Sequence, residues 1–240
     1  SEMCIRDSLC GGLGSRLAEE TKLIPKPMVK IGKISILEHI IKIYQSYGFK
    51  EFILATGYKN KIIKNYFKNK KNIKCVFTGK ETMTGGRILR LKKYFKKNEN
   101  FMMTYGDGLT NQNINQLVQF HLNNKKIATM TVVKPPARFG EVFLKGNRVM
   151  KFEEKPQLNN NWINGGFFVL NYKIFKYIAS DQTMLERQPL NKLTKIKELI
   201  AFQHHGFWHC MDTMRDKNLL NKLWNSKKAP WKLDLKIKHK

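Results

Sequence analysis

The chain has 240 residues, with 45 Lys and Arg against 18 Asp and Glu and a formal net charge of +27. That length can bury a substantial core, and an apolar fraction of 42% with 11% aromatics excludes wholesale disorder. No run approaches the ~18 uninterrupted apolar residues of a membrane helix, and the opening SEMCIRDSLCGG lacks the basic-then-apolar layout of a secretory leader.

Apolar residues recur at helical spacing from Ile34 to Tyr47, and Gly48 closes that helix as a C-terminal cap. Phe52–Thr56 reads as a buried strand ended by Gly57, Lys61–Phe67 as a short helix and Ile73–Phe77 as a strand. Ile88–Phe95 is helical, Phe101–Tyr105 a strand, Ile114–Leu122 a helix, and Ile127–Val133 an apolar run ending at Pro135-Pro136. This alternation predicts an α/β domain with a mainly parallel sheet. Beyond Pro136 the texture changes. Glu141–Leu144 and Val149–Glu153 flank Gly146-Asn147, a hairpin signal. Gly165–Leu170 is another strand, with helices near Tyr172–Ile178 and Glu186–Lys195. The C-terminal part reads as α+β material that completes the same sheet and walls a cleft, and its tail is expected to pack through Trp224 and Trp231.

The strongest local signal is LCGGLGSRL, Leu9 to Leu17, followed closely by PKPMV, Pro25 to Val29. Glycines let backbone N–H groups approach phosphate, and a helix beginning after them adds a favourable dipole. A dinucleotide fingerprint would want Gly where Arg16 stands, and a Walker loop would want Lys-Ser/Thr directly afterwards; neither fits. Arg16 can fork two phosphate oxygens, and Lys26, between two prolines, can carry a point charge to the same place. A structural turn with two solvated cations is the competing reading, and the two motifs together favour phosphate chemistry. Tyr105-Gly106-Asp107-Gly108 follows a strand, where ligands bind in open α/β sheets. Asp107 there suits Mg²⁺ or is a plain Asp-Gly turn. Asp212, in GFWHCMDT, either holds a metal or caps a helix starting at Thr213.

The charge is a weaker guide. Of the 45 cations 37 are Lys, and Asn and Ile each occur 21 times, a pattern of coding bias in an AT-rich genome. Lys59–Lys97 holds 14 basic residues and one acidic, Glu81, and reads as a solvated face ahead of a steering surface for anions. Nucleic acid is therefore not the expected partner, although a basic nucleic-acid-binding module stays the alternative of a different class. Cys4, Cys10, Cys75 and Cys210 show neither zinc spacing nor a disulfide framework, which points to a reducing cytoplasm.

LCGGLGSRL, PKPMV, MTGGR (83–87), PARFG (136–140), YGDG, FEEKP (152–156), NGGFFVL (164–170), GFWHCMDTMRDK (206–217) and APWK (229–232) together resemble the sugar-1-phosphate nucleotidylyltransferases, over nearly the whole chain. MTGGR, PARFG and the MDT segment favour the cytidylyltransferase branch. The resemblance implies a Rossmann-like nucleotidyltransferase fold, α/β, with a mainly parallel mixed sheet flanked by helices and a small α+β sugar-binding portion. It implies a single domain over 1–240, with about 9–135 for nucleotide, about 136–232 for sugar phosphate, and 233–240 a basic tail.

By the same resemblance, Leu9, Cys10, Gly11, Gly12 and Leu13 would follow base and ribose, and Gly14, Ser15 and Arg16 would hold the triphosphate. Lys26 would stabilise the α-phosphate and, with Arg16, be catalytic. Thr82 and Arg87 would contact the nucleotide from the other side, with Gly106 supporting it. Asp107 and Asp212 would share Mg²⁺. Glu154, Lys155, Asn164 and Gly165 would bind the sugar phosphate. The implied substrates are CTP and glucose 1-phosphate, with another nucleotide or sugar phosphate as the alternative. A homo-oligomer is left open.

The sequence departs from that family twice. Ser1–Ser8 is polar where an apolar central strand belongs, so a poorly filled sheet and a loosely held Gly-rich loop are expected. The segment from Phe67 to Thr84 is short, which leaves an oligomeric interface and the choice of nucleotide undetermined.

Overall fold

The computed structural model describes residues 5–10, 17–135, 141–153 and 162–232. In chain order the elements are β1 (Ile5–Cys10), α1 (Ala18–Thr21), β2 (Lys30–Ile31), β3 (Ile34–Ser35), α2 (Ile36–Ser46), β4 (Phe52–Thr56), α3 (Asn60–Phe67), β5 (Ile73–Phe77) and α4 (Thr84–Arg90). There follow β6 (Asn100–Tyr105), β7 (Gly108–Thr110), α5 (Ile114–Asn124), β8 (Ala128–Val133), β9 (Glu141–Lys145) and β10 (Arg148–Glu153). The chain continues through β11 (Ile163–Asn171), α6 (Gln188–Lys195), β12 (Leu199–His204), β13 (Trp208–Cys210) and α7 (Met214–Asn225).

Seven strands form one sheet in the order β12-β8-β11-β6-β1-β4-β5. The β1, β4, β5 and β6 pairings are parallel, as is β12 with β8, while β11 runs antiparallel to both β6 and β8. This is the mixed, mainly parallel sheet expected of the sequence. Side chains alternate across it. Phe52, Leu54, Met102, Phe167 and Val169 face a core shared with α2, α3, α5 and α7. Ile53, Ala55, Phe101, Met103 and Phe168 face a second core under α4 and α6. Each fully buried side chain of this size contributes about 1.5–3 kcal/mol.

Helix α2 shows how local sequence sets its limits. Ser35 caps it by accepting from the Glu38 N–H at 3.2 Å. Eight of its residues are buried, and beyond its C-terminus Gly48 takes a positive φ of 87° that only glycine adopts freely. The hairpin of β9 and β10 forms around Gly146-Asn147 as anticipated.

Three expectations are corrected. The helix expected over Ile88–Phe95 begins earlier, at Thr84, and gives way to a 3₁₀ turn at Lys92–Tyr94. Gly85 and Gly86 are inside it because backbone lies against them: a Cβ on Gly86 would meet Asp181 O at 2.3 Å. The helix expected near Tyr172–Ile178 is a 3₁₀ turn, Tyr172–Tyr177. The helix expected from Glu186 starts at Gln188, with Pro189 in its first turn. Of the polar segment at the start of the chain, the described residues from Ile5 onward belong to a strand: Ile5–Cys10 lies inside the sheet between β4 and β6, with its register slipping between Ile5 and Asp7.

The basic side chains of the Lys59–Lys97 stretch are mostly exposed, with Arg87 as the buried exception at 4%. Trp224 and Trp231 stack at 6.4 Å and both meet His39 edge-on, so the tail is anchored as expected. No described helix is long and apolar enough to cross a membrane.

Candidate active site

Lys26 opens a 3₁₀ turn, Lys26–Met28, between Pro25 in extended geometry and the buried Pro27. The two prolines fix the backbone on either side, so the side chain leaves the turn in a set direction. Its Nζ lies 2.6 Å from Asp107 Oδ2 and 2.6 Å from Asp212 Oδ1.

The carboxylates meet there for a backbone reason. Asp107 stands on the turn between β6 and β7. Strand β7 pairs antiparallel with β13, placing Gly108 opposite Cys210, and the Met211 N–H donates to Asp107 O at 2.9 Å. Asp107 and Asp212 are thus held at one end of a two-stranded ribbon. Asp212 is not the helix cap. That role falls to Thr213, which accepts from Asp216 N at 3.3 Å, while Asp216 Oδ2 accepts from the N–H groups of Asp212 and Thr213 at 3.1 and 2.8 Å. Asp216 Oδ1 faces His209 Nε2 at 2.9 Å, which ties the start of α7 back onto β13. The Asp212 carboxylate is thereby left for the site.

Burial works to lower the Lys26 pKa, but the charge of Asp107 and hydrogen bonds to both carboxylates outweigh it and the net shift is upward. The lysine stays an ammonium. Cys210 Sγ lies 3.5 Å from Asp212 Oδ2. Burial first, then the Asp212 and Asp107 charges, push its thiol up to about 12, so it is an inert wall and not a nucleophile.

A cavity of about 260 Å³ opens beside the carboxylates, lined by Tyr105, Asp107, Asn164, Gly165, Trp208 and Asp212 among others. Trp208 Nε1 donates to Gly165 O at 2.7 Å, closing one wall. Gly165 is packed so tightly that a Cβ would stand 3.1 Å from Thr131 O. The structure therefore gathers Asp107, Asp212, Asn164 and Gly165 around one space, with Lys26 on the two carboxylates, and Gly106 is buried in the turn that carries Asp107.

The other anticipated residues are placed as follows. Leu9 and Cys10 end β1, Leu9 opposite Tyr105 and Cys10 opposite Thr56. Thr82 is buried in the loop before α4, touching Gly79. Arg87 is buried with its guanidinium against Thr78 Oγ1 (2.8 Å) and Gly79 O (2.9 Å), so in this arrangement it braces the loop that carries Thr82. Gly11–Arg16, Glu154 and Lys155 lie outside the described residues. Tyr105, Trp208 and Cys210 line the cavity without having been assigned a role from sequence. Their positions at strand ends in the YGDG and GFWHC motifs were the available signal.

Two hard carboxylates sharing one cation suit Mg²⁺, which takes one or two carboxylates and completes its shell with phosphates and water. The Lys26 ammonium, already 2.6 Å from both carboxylates, shows that the pair accommodates a cation.

Residues 9–215 match the family model described as nucleotidyl transferase. The chain belongs to that family. It is 44% identical to the glucose-1-phosphate cytidylyltransferase of Salmonella typhimurium, over 93% of this chain and 97% of the relative. It is 40% identical to the probable glucose-1-phosphate cytidylyltransferase of Bacillus subtilis, over 94% and 98%. Solved nucleotidyl transferases share the fold. HddC from Yersinia pseudotuberculosis superposes with a TM-score of 0.73 at 23% identity, covering 92% of this chain and all of the other. A UDP-glucose pyrophosphorylase complexed with UDP-glucose gives 0.72 at 16%, covering 94% and 99%. For this transferase the sequence motifs, the sheet order and the relatives agree on the fold.

Proposed function

We propose that this transferase moves the cytidylyl group of CTP to glucose 1-phosphate, giving CDP-glucose and pyrophosphate. The observation that carries the reading is 44% identity along almost the full length of both chains to a glucose-1-phosphate cytidylyltransferase. The Lys26–Asp107–Asp212 centre beside a small cavity supports it.

A phosphate oxygen of glucose 1-phosphate, already anionic, attacks the α-phosphorus of CTP, and the bond to the pyrophosphate oxygen breaks. No general base is required to make that nucleophile. The chain contributes position and charge. Lys26 presents its ammonium to the α-phosphate, where negative charge builds as the new bond forms. Arg16, with Gly14 and Ser15, holds the triphosphate, and Leu9 to Leu13, Thr82 and Gly106 enclose the nucleoside, with Arg87 shaping that side. Asn164 and Gly165, together with Glu154 and Lys155, orient the sugar phosphate. Family members generally use a divalent metal; Asp107 and Asp212 would hold it, as Mg²⁺, and when bound it supplies positive charge to the phosphate oxygens. The chain works as a single domain, with about 9–135 serving the nucleotide and about 136–232 the sugar phosphate.

Pyrophosphate release with glucose 1-phosphate and Mg²⁺, measured with CTP, UTP, dTTP and GTP in turn, tests the reading. CTP is expected to give the highest kcat/KM. Preference for another base would move the assignment to a different branch of the family.

A further inference from the structure

The pairing of α4 with the segment before α6 leaves one carboxylate, Glu186, between two motifs of the site, MTGGR and YGDG. The N–H groups of Met83 and Gly85 donate to Asp181 O and Thr183 O at 2.8 and 2.9 Å. Backbone thus docks on backbone, which the Gly85-Gly86 pair permits. Glu186 Oε2 accepts from Thr84 Oγ1 at 2.6 Å, and Thr84 Oγ1 accepts in turn from Leu185 N at 2.9 Å. Glu186 Oε1 accepts the hydroxyl proton of Tyr105.

That last bond has consequences for the cavity. A tyrosine hydroxyl has one proton and two lone pairs. With the proton directed at Glu186, the oxygen is left as an acceptor, and Asn164 Nδ2 donates to it at 3.4 Å. The other end of the same amide, Oδ1, accepts from Gly166 N at 2.8 Å. Gly166 has a φ of 78°, and a Cβ there would stand 2.8 Å from the Tyr105 ring, so ring and loop are fitted to each other. The Asn164 amide is therefore fixed in orientation, and its second Nδ2 hydrogen remains for a ligand in the cavity that Asn164 lines.

We propose that Glu186 is a positioning residue for the sugar phosphate: through the Tyr105 hydroxyl it sets the Asn164 amide to donate to a hydroxyl or phosphate oxygen of that substrate. The inference rests on the assignment of this cavity to the sugar phosphate. Glu186 does not touch the substrate. Its effect falls on one substrate, and a purely structural link between α4 and residues 181–186 would not produce that selectivity.

The test follows binding of glucose 1-phosphate and of CTP separately, through the fluorescence of Trp208 and its neighbours, alongside steady-state KM values and Tm. Glu186→Ala is expected to weaken glucose 1-phosphate about ten-fold, the loss of one well-directed hydrogen bond, with CTP changed less than about two-fold. Glu186→Gln, whose amide oxygen still accepts from Tyr105, is expected to recover most of that loss. Glu186→Ala combined with Tyr105→Phe should bind the sugar phosphate no worse than Tyr105→Phe alone, because both act through one path. Equal weakening for both substrates, a fall in Tm without change in sugar-phosphate binding, or additive effects would overturn the proposal. A wild-type protein that binds glucose 1-phosphate yet transfers no cytidylyl group overturns the functional assignment and leaves the Glu186 result readable from binding. A wild-type protein that binds no glucose 1-phosphate overturns the inference together with the cavity assignment.

Discussion

The carboxylates of Asp107 and Asp212 converge on one point, the ammonium of Lys26, 2.6 Å from an oxygen of each. All three side chains are largely shielded, with 15–28% of their surface exposed. Removing the cation leaves two like charges facing each other in a partly dry site, and such a loss is more costly than the loss of a surface pair. Lys26→Ala is expected to lower stability by about 2 kcal/mol in chelator. Added Mg²⁺ should restore most of that, because it replaces the missing charge. Thermal melts of both proteins with EDTA and with Mg²⁺ decide it: a larger Mg²⁺-induced rise in Tm for the variant is the expected result, and equal shifts would contradict it.

Acid should destabilise the protein through a residue remote from that centre. His121 is 1% exposed with its Nδ1 2.8 Å from Thr129 Oγ1, and burial pushes its pKa down to about 4. The unfolded chain holds a proton on this ring below the ordinary value of 6.5, and the folded protein does not until about 4. The stability that the neutral ring confers is whole above 6.5 and is lost progressively as pH falls through that window. His39 and His204 are lowered too, mainly by burial, and add in the same sense. Urea melts from pH 7 to pH 4 should show falling stability, and His121→Gln should flatten that slope. An unchanged slope in the variant would assign the acid sensitivity elsewhere.

Gly86→Ala tests the docking of α4. The new Cβ would stand 2.3 Å from Asp181 O and 2.5 Å from Asp181 Cα, both backbone atoms that cannot rotate away. The gain in helix propensity, about 1 kcal/mol, is outweighed by overpacking of about 1–3 kcal/mol. A net loss in Tm is expected despite the better helix former; a rise would show that the two segments separate easily.

Asp216→Ala removes the acceptor for Asp212 N, Thr213 N and Thr213 Oγ1, and the partner of His209 Nε2. Loss of a cap costs about 1 kcal/mol and buried donors left unmet add about 1–3 kcal/mol. Because Asp212 is released from its backbone anchor, the Mg²⁺ concentration for half-maximal rate should rise along with the fall in Tm. A fall in Tm with an unchanged Mg²⁺ requirement would separate the cap from the site.

Much of this was legible in the residues. Continuous apolar runs gave β4 and β6 nearly to the residue, because strands buried on both faces carry apolar side chains at successive positions. Strand β5 was found as well, although it lies at the sheet edge with only Ile73 buried. Lys26, Asp107 and Asp212 could be nominated from PKPM, YGDG and MDT, each a charge beside a turn. What the sequence did not disclose depends on contacts between distant segments. The helix expected from Ile88 left Gly85-Gly86 outside it, and only the approach of Asp181 explains glycines inside α4. Arg87 looked like a ligand-facing cation, whereas the carbonyls that hold it belong to loops that fold back on it. Glu186 carried no motif of its own; its position is defined by Thr84 and Tyr105, each about a hundred residues away or nearly so.

The central claim is that Lys26 supplies charge to the α-phosphate as the new bond forms. It is tested most directly by the rate of CDP-glucose formation by Lys26→Ala at saturating CTP, glucose 1-phosphate and Mg²⁺, with Tm confirming that the protein is folded. The account predicts a fall in kcat of about 10²–10³-fold, the usual cost of removing one preorganised group at a developing charge. A folded variant that turns over at close to the wild-type rate would contradict it.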